Sequence, residues 1–297
     1  MEKISGGVTA AKGYQAAATA AGIKYQGRTD MAMVYSEVPA AVAGTFTTNV
    51  FKASPVIWDR NIVKGSGIAQ AVVVNSGIAN ACTGEEGDRY CQLTADAAAE
   101  ALGINADAVL LGSTGVIGMQ LPIDKMQAGA KKLSTMLASG TEAGTAAAQA
   151  IMTTDTHKKE IAYTFTVGGR TATIGGMAKG SGMIHPNMCT MLAYVTTDAA
   201  IAQPLLQKAL SEIVVDSFNM ISVDGDTSTN DTLLVLANGM AGNAEIVAEG
   251  ADYEAFYAAL KEVCTYLAKE MAADGEGATK LVESIVEGAD TKEHARI

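Results

Sequence analysis

Three stretches of the sequence concentrate glycine and polar side chains beyond what packing requires, and each suggests a chemistry. Gly112-Ser-Thr-Gly-Val-Ile-Gly118 follows an apolar run. Such a loop exposes backbone N–H groups that can cradle an anion or the oxyanion of an acyl transfer. The same glycines also suit a tight exit from a strand.

The second stretch is Gly175-Gly-Met-Ala-Lys-Gly-Ser-Gly-Met-Ile-His-Pro-Asn-Met-Cys-Thr190. A phosphate loop needs its lysine after the second glycine of GxxxxGK[ST]. Lys179 precedes Gly180, so the motif fails. Cys189 with His185 as base would make an activated thiol nucleophile. A buried, inert cysteine is the plainer alternative. The third stretch, Ser222–Asp231, carries carboxylates at Asp224, Asp226 and Asp231. An EF-hand loop opening at Asp224 would need glycine and glutamate where Thr229 and Val235 stand. A hydrogen-bonded Asx/Thr turn network is the simpler reading.

The rest of the composition narrows the partners. Over 297 residues the net charge is −11, and charged residues make up only 18%. There is no basic footprint for nucleic acid. Cys82, Cys91, Cys189 and Cys264 form no CxxC pair, and His157, His185 and His294 are far apart, so no metal site is expected. The N-terminus shows no apolar signal region, and no run reaches the ~18 apolar residues of a membrane span. The expectation is a cytoplasmic protein with reduced thiols and no membrane contact.

The elements that must position these stretches are short strands and amphipathic helices. Strands are expected at Met31–Ser36, Val42–Thr47, Ser54–Trp58 and Gln70–Asn75, rich in Val, Ile, Thr and aromatics. A helix is expected at Gln92–Leu102, stopped by Gly103, then a strand at Ala108–Leu111 running into the glycine loop. Helices at Ile123–Leu137 and Glu142–Met152 precede strands at Glu160–Val167, Arg170–Gly176 and Thr190–Thr197. A helix at Leu205–Phe218, a strand at Leu233–Ala237, a long helix at Ala251–Ala272 and a strand at Lys280–Glu287 complete the pattern. Strands and helices mix without strict βαβ alternation, which favours an α+β fold. A domain boundary is considered near Gly140–Gly144.

Nine segments in order give the chain a resemblance. They are Gly7–Gly13, Thr47–Asn49, Lys52–Val56, Asn75–Gly84, Ser113–Gly118, Met152–Thr156, Met177–Met188, Ser222–Thr232 and Asp274–Lys280. Together they resemble the ornithine acetyltransferase, or ArgJ, family across essentially the whole chain. The resemblance implies a layered α/β/β/α sandwich of the DmpA/ArgJ-like type, akin to N-terminal-nucleophile hydrolases. It implies self-cleavage between Cys189 and Thr190, giving an α-chain of residues 1–189 and a β-chain of 190–297. Thr190 would then be the nucleophile, its own freed α-amine (unperturbed pKa ~7.7–8.0) acting as base. Thr114 and Gly115 would form the oxyanion hole. Thr153, Thr154, Lys179, Glu276 and Thr190 itself would bind substrate.

The implied reaction moves an acetyl group from N2-acetylornithine to L-glutamate. No cofactor is implied, and acetyl-CoA is an alternative donor in some family members. The implied partners are the two fragments themselves, as α2β2 or larger. Two departures stand out: Cys189 where the family commonly has Ala, and Ile78 where it usually has Asn. Against the family the chain is expected to lack a C-terminal segment bearing a further Asn and a Ser/Thr for substrate. A self-processing amidohydrolase or aminopeptidase, and an inactive amino-acid-binding fragment, are the alternatives.

Overall fold

The structure, a computed structural model, describes residues 1–185 and 191–296. In chain order the strands and helices are β1 (Glu2–Ile4), β2 (Tyr14–Thr19), β3 (Met31–Phe46), α1 (Ser54–Lys64), β4 (Ile68–Ile78), α2 (Gly84–Leu102), β5 (Val109–Val116), α3 (Ile123–Ser134), α4 (Thr141–Ala150), β6 (Lys159–Val167), β7 (Arg170–Lys179), β8 (Leu192–Thr197), α5 (Gln203–Val215), β9 (Thr232–Ala237), α6 (Ala251–Ala273) and α7 (Lys292–Arg296).

Among the described residues nine strands join in the order β1-β6-β7-β8-β9-β3-β4-β5, with β2 also paired to β3. The 16-residue β3 is the hinge of this sheet. Its first part pairs antiparallel with β4 (Met31↔Asn75 to Tyr35↔Ala71), its last part with β9 (Ala41↔Ala237 to Phe46↔Thr232), and the register shifts between Tyr35 and Ala40.

Side-chain alternation then sorts the core into layers. Ala193, Val195, Leu233 and Val235 face α5 and α6. Met31, Met33, Ala71, Val73, Val109 and Leu111 face α2 and α3. Between them lies a third cluster drawn from both halves: Val34, Val72, Val74 and Leu110 against Leu192, Tyr194, Leu234 and Leu236. The sheet folds over on itself, helix–sheet–sheet–helix, and the expected α+β sandwich is what the chain forms. Tyr194 of β8 reaches so close to β5 that a Cβ on Gly112 would lie 2.0 Å from its hydroxyl.

Several local expectations need correction. Ser54–Trp58 opens helix α1 rather than a strand: Pro55 fits the first turn, and Val56, Asp59, Ile62 and Val63 bury one helical face. Lys280–Glu287 has no regular secondary structure, because its alternating residues meet no sheet; Val282 and Ile285 are 82% and 76% exposed. Helix α2 starts at Gly84, a full two turns before Gln92. The glycine stretch after Leu111 is not a loop at its start: β5 runs on to Val116, parallel to β4. No domain boundary falls at Gly140–Gly144. There α4 begins and packs on β2 and β3, while β1 and β3 pair with strands from the far side of it.

Candidate active site

The parallel register of β4 and β5 sets Ser76 opposite Thr114 and Gly77 opposite Gly115. Gly115 has φ +130°, and a Cβ there would lie 2.3 Å from the Gly77 carbonyl carbon. Only glycine fits, so the strand end can approach its neighbour and leave the space before Thr114 open. Ile78, beside them, buries its side chain in the core. Its carbonyl accepts from Asn75 Nδ2 (2.7 Å) and Ser113 Oγ (3.3 Å). The local polar contacts run through the backbone, so an apolar side chain is accommodated at position 78.

Lys179 ends β7 with its ammonium buried against this corner. Nζ donates to Thr153 Oγ1 (2.8 Å) and Thr114 Oγ1 (3.4 Å), and lies 4.0 Å from Asp155 Oδ2. Burial pushes the Lys179 pKa down, helped by the like charge of Lys159 and opposed by Asp155, Asp231 and Glu276. A hydroxyl that accepts from an ammonium is polarised and becomes a better donor, so Thr114 is primed to donate outward. The structural pairing of Lys179 is with Asp155; no ion pair with Glu276 forms among the described residues.

A buried lysine ties the neighbouring loops together. Lys159 Nζ sits 2.7 Å from Asp155 Oδ1 and 2.6 Å from Asp274 Oδ2. Asp155 also accepts from the N–H groups of Gly180 (2.7 Å) and Thr153 (3.1 Å), and Asp274 from Thr156 N (3.0 Å). Burial alone would raise both carboxyl pKa values. Lys179, Lys159 and the Gly180 N–H outweigh it for Asp155, and Lys159 and Thr156 outweigh it for Asp274, so both end below the usual carboxylate range.

Two residues beyond Asp274, Glu276 turns into the same space. Its N–H donates to Ser181 O (2.6 Å), and its carboxylate lies over Gly182, where a Cβ would stand 2.8 Å from Oε2. Asp224 fixes the adjoining turn by accepting from the N–H groups of Met183 and Ile184 (2.9 Å), and Met183 is held at φ +52°. Thr154 Oγ1 meets Ser181 Oγ at 2.6 Å.

The result is a cleft of about 380 Å³ lined by Thr114, Gly115, Thr153, Thr154, Lys179 and Glu276. His185, Asp226 and Asp231, which the sequence also raises as candidates, are not among its lining residues. Cys189 and Thr190 lie outside the described residues, so the proposed bond and nucleophile are not placed. Their neighbour Met191 is clamped: its N–H donates to Asp231 Oδ1 (2.8 Å) and its carbonyl accepts from Thr232 N (3.0 Å). Asp231 is buried with no partner for Oδ2 among the described residues, and burial drives its pKa well up against the Met191 N–H and Lys179. His185 Nδ1 lies 3.5 Å from Ser222 Oγ.

Lys24, Tyr25, Arg28 and Gly77, none of which the sequence marks as a site residue, also line the cleft, as does Asp224 of the third polar stretch. Asp224 and Asp231 were visible only as part of a turn network. Lys24 and Arg28 stand in a loop with no motif of its own. Their signal was indirect, as two cations in a strongly acidic chain.

A model of the ArgJ family matches residues 15–297. The chain is 54% identical over 298 residues to the arginine biosynthesis bifunctional protein ArgJ of Symbiobacterium thermophilum, covering 100% of this chain and 73% of that protein. To the Bacillus subtilis protein of the same name it is 47% identical over 295 residues, covering 99% and 71%. Among solved structures, ArgJ from Bacillus halodurans aligns with TM-score 0.58 at 40% identity over 64% of this chain and 97% of that one. Ornithine acetyltransferase from Mycobacterium tuberculosis, solved with ornithine, aligns at 0.56 and 40% identity over 63% and 96%. An aminopeptidase of the Ntn hydrolase fold from Ochrobactrum anthropi aligns at 0.54 over 93% of this chain and 88% of that one; at 12% identity it shares the fold alone.

Proposed function

The chain belongs to the ArgJ family, and from that premise we propose that it is the acetyltransferase that moves an acetyl group from N2-acetylornithine to L-glutamate through an acetyl-Thr190 intermediate. The observation that carries this reading is the convergence of Thr114, Gly115, Thr153, Lys179 and Glu276 on one cleft, from four separate parts of the chain.

In this account the chain first cleaves itself between Cys189 and Thr190. The Thr190 hydroxyl attacks the preceding carbonyl, the amide C–N bond breaks and frees the α-amine, and water then hydrolyses the resulting ester to release the Cys189 carboxylate and the Thr190 hydroxyl. Fragments 1–189 and 190–297 would stay together, because β8 lies in the sheet between β7 and β9, antiparallel to one and parallel to the other. An α2β2 assembly of these fragments is the proposed form. The three described cysteines are free thiols, which supports a cytoplasmic setting.

For transfer, the Thr190 α-amine takes the hydroxyl proton as Oγ attacks the acetyl carbonyl. The negative oxygen is met by the Thr114 hydroxyl and the Gly115 N–H. Collapse breaks the C–N bond, the ammonium returns its proton to the departing amine, and ornithine leaves. The glutamate amine then attacks the ester and regenerates Thr190. Lys179 pairs with the substrate α-carboxylate beside Thr153 and Thr154, and Glu276 faces the ornithine ammonium. No cofactor takes part, and acetyl-CoA is an alternative acetyl donor at the same nucleophile.

Product analysis with N-acetylornithine tests the reading. Formation of N-acetylglutamate that depends on added glutamate supports transfer. Acetate release at the same rate with and without glutamate would make the protein a hydrolase instead.

A further inference from the structure

The proposed reaction asks one cleft to hold, in turn, a side chain ending in an ammonium and a side chain ending in a carboxylate. Glu276 and Asp224 suit the first and repel the second. The second must be met by a cation lining the same space. Three are present: Lys24, Arg28 and Lys179.

Two of the three are committed. Lys179 is buried on Thr153, Thr114 and Asp155. Arg28 directs Nη2 onto the carbonyls of Met152 (2.8 Å) and Thr153 (3.1 Å), bracing the loop that carries the substrate-facing threonines. Lys24 is exposed, and its ammonium meets no carboxylate among the described residues; it rests over the Tyr25 ring, 5.1 Å from the ring centroid. Residues 186–190, which are not described, contain no Lys or Arg that could take its place.

Lys24 also stands beside the reacting corner. A Cβ on Gly77 would lie 3.1 Å from Lys24 Cβ, and Gly77 is the register partner of Gly115. The lysine stem thus starts against the strand pair that carries the proposed oxyanion donors. Its four-carbon stem can swing the charge away from an ammonium or toward a carboxylate without moving the backbone.

Resting on the transferase reading above, we propose that Lys24 forms an anion subsite that receives the side-chain carboxylate of the dicarboxylic acceptor, and so lets one cleft accept two substrates of opposite side-chain charge. Lys24 is a specificity determinant for the second half-reaction and is not needed in the first.

The test compares L-glutamate with its neutral isostere L-glutamine, as acceptors and as ligands in calorimetry, using the full chain as it matures. Wild type should prefer glutamate, and Lys24→Ala should cut that preference at least tenfold. Lys24→Arg should restore it, and Lys24→Glu should favour glutamine. Ornithine binding and acetylation by N-acetylornithine should stay within twofold in Lys24→Ala and Lys24→Arg. A Lys24→Ala protein that keeps the preference, or that loses ornithine and glutamate binding equally, would overturn the proposal, as would a wild type with no preference. Loss of coenzyme A binding with glutamate unchanged would also overturn it, assigning the subsite to phosphate. A wild type that binds both amino acids with the expected Lys24 dependence but transfers nothing would keep the subsite and refute the transferase reading instead.

Discussion

Lys179 donates from Nζ to the Thr153 hydroxyl over 2.8 Å, joining the end of β7 to the loop after α4 at the floor of the cleft. The ammonium is dehydrated and already supported by Asp155. Replacing it by Met removes the cation proposed for the substrate carboxylate and leaves the Thr153 hydroxyl without its donor. Lys179→Met should raise KM for N-acetylornithine at least tenfold. Lys179→Arg should not rescue it, because the planar guanidinium does not fit a point-charge pocket. Steady-state kinetics decide the matter, and a KM within twofold of wild type would remove Lys179 from the substrate site.

The oxyanion assignment makes a sharper demand on rate. Thr114→Ala should lower kcat about 10²–10³-fold, the usual cost of one lost donor, with little change in thermal stability. Thr114→Ser keeps the hydroxyl and should retain most activity. Gly115→Ala places a Cβ 2.3 Å from the Gly77 carbonyl carbon at φ +130°. It should cost both activity and melting temperature, readable by kinetics and calorimetry on the same sample.

The bridge from Asp155 through Lys159 to Asp274 should be felt as stability. Breaking a buried pair from one side leaves uncompensated charge and typically costs about 3–5 kcal/mol, so Lys159→Met should show a loss of that order in urea. The pH sign follows from the carboxylates. Both have folded pKa values below their unfolded ones, so their contribution is present above the unfolded value and is lost as pH falls through the folded values. Wild type should lose stability steadily below about pH 4, and Asp274→Asn should be less stable near neutrality with a flatter acid limb.

Asp59 predicts the opposite slope. It is fully buried on α1, accepts one bond from Leu111 N (2.8 Å), and its Oδ2 has no partner among the described residues. Burial raises its pKa well above normal despite the Leu111 N–H. With its folded pKa raised, it favours folding most below the unfolded value, and that contribution is lost as pH rises through the folded one. Asp59→Asn keeps the Leu111 bond and removes the ionisation, so it should raise the melting temperature at neutral pH. The gain should vanish below about pH 4. A variant equally stabilised at both pH values would contradict this.

Much of the fold was legible where period and punctuation agree. Helix Ala251–Ala272 was foreseen to within one residue, because apolar positions recur at helical spacing over more than five turns. Short runs were ambiguous: Val56-Ile-Trp58 fits a strand locally, and Pro55 with the later Ile62 and Val63 makes it helical. Lys280–Glu287 alternates as a strand does, but alternation alone supplies no pairing partner. At the site, Thr114, Gly115 and Lys179 stand towards the ends of strands β5 and β7, while Thr153, Thr154 and Glu276 follow helices α4 and α6, so their convergence on one cleft comes from tertiary packing. Lys159 and Lys24 were not legible. One acts through burial between two distant aspartates, the other through proximity to Gly77, and neither relation is local in sequence.

The central claim is that Thr190 carries the acetyl group. Intact-mass analysis of protein incubated with N-acetylornithine and quenched in acid tests it most directly. The account predicts two fragments divided between Cys189 and Thr190, with one acetyl group on the fragment that begins at Thr190. That acetyl should be lost when glutamate is added. A single uncut chain, an acetyl group on the other fragment, or a Thr190→Ala protein that still transfers acetyl groups would contradict it.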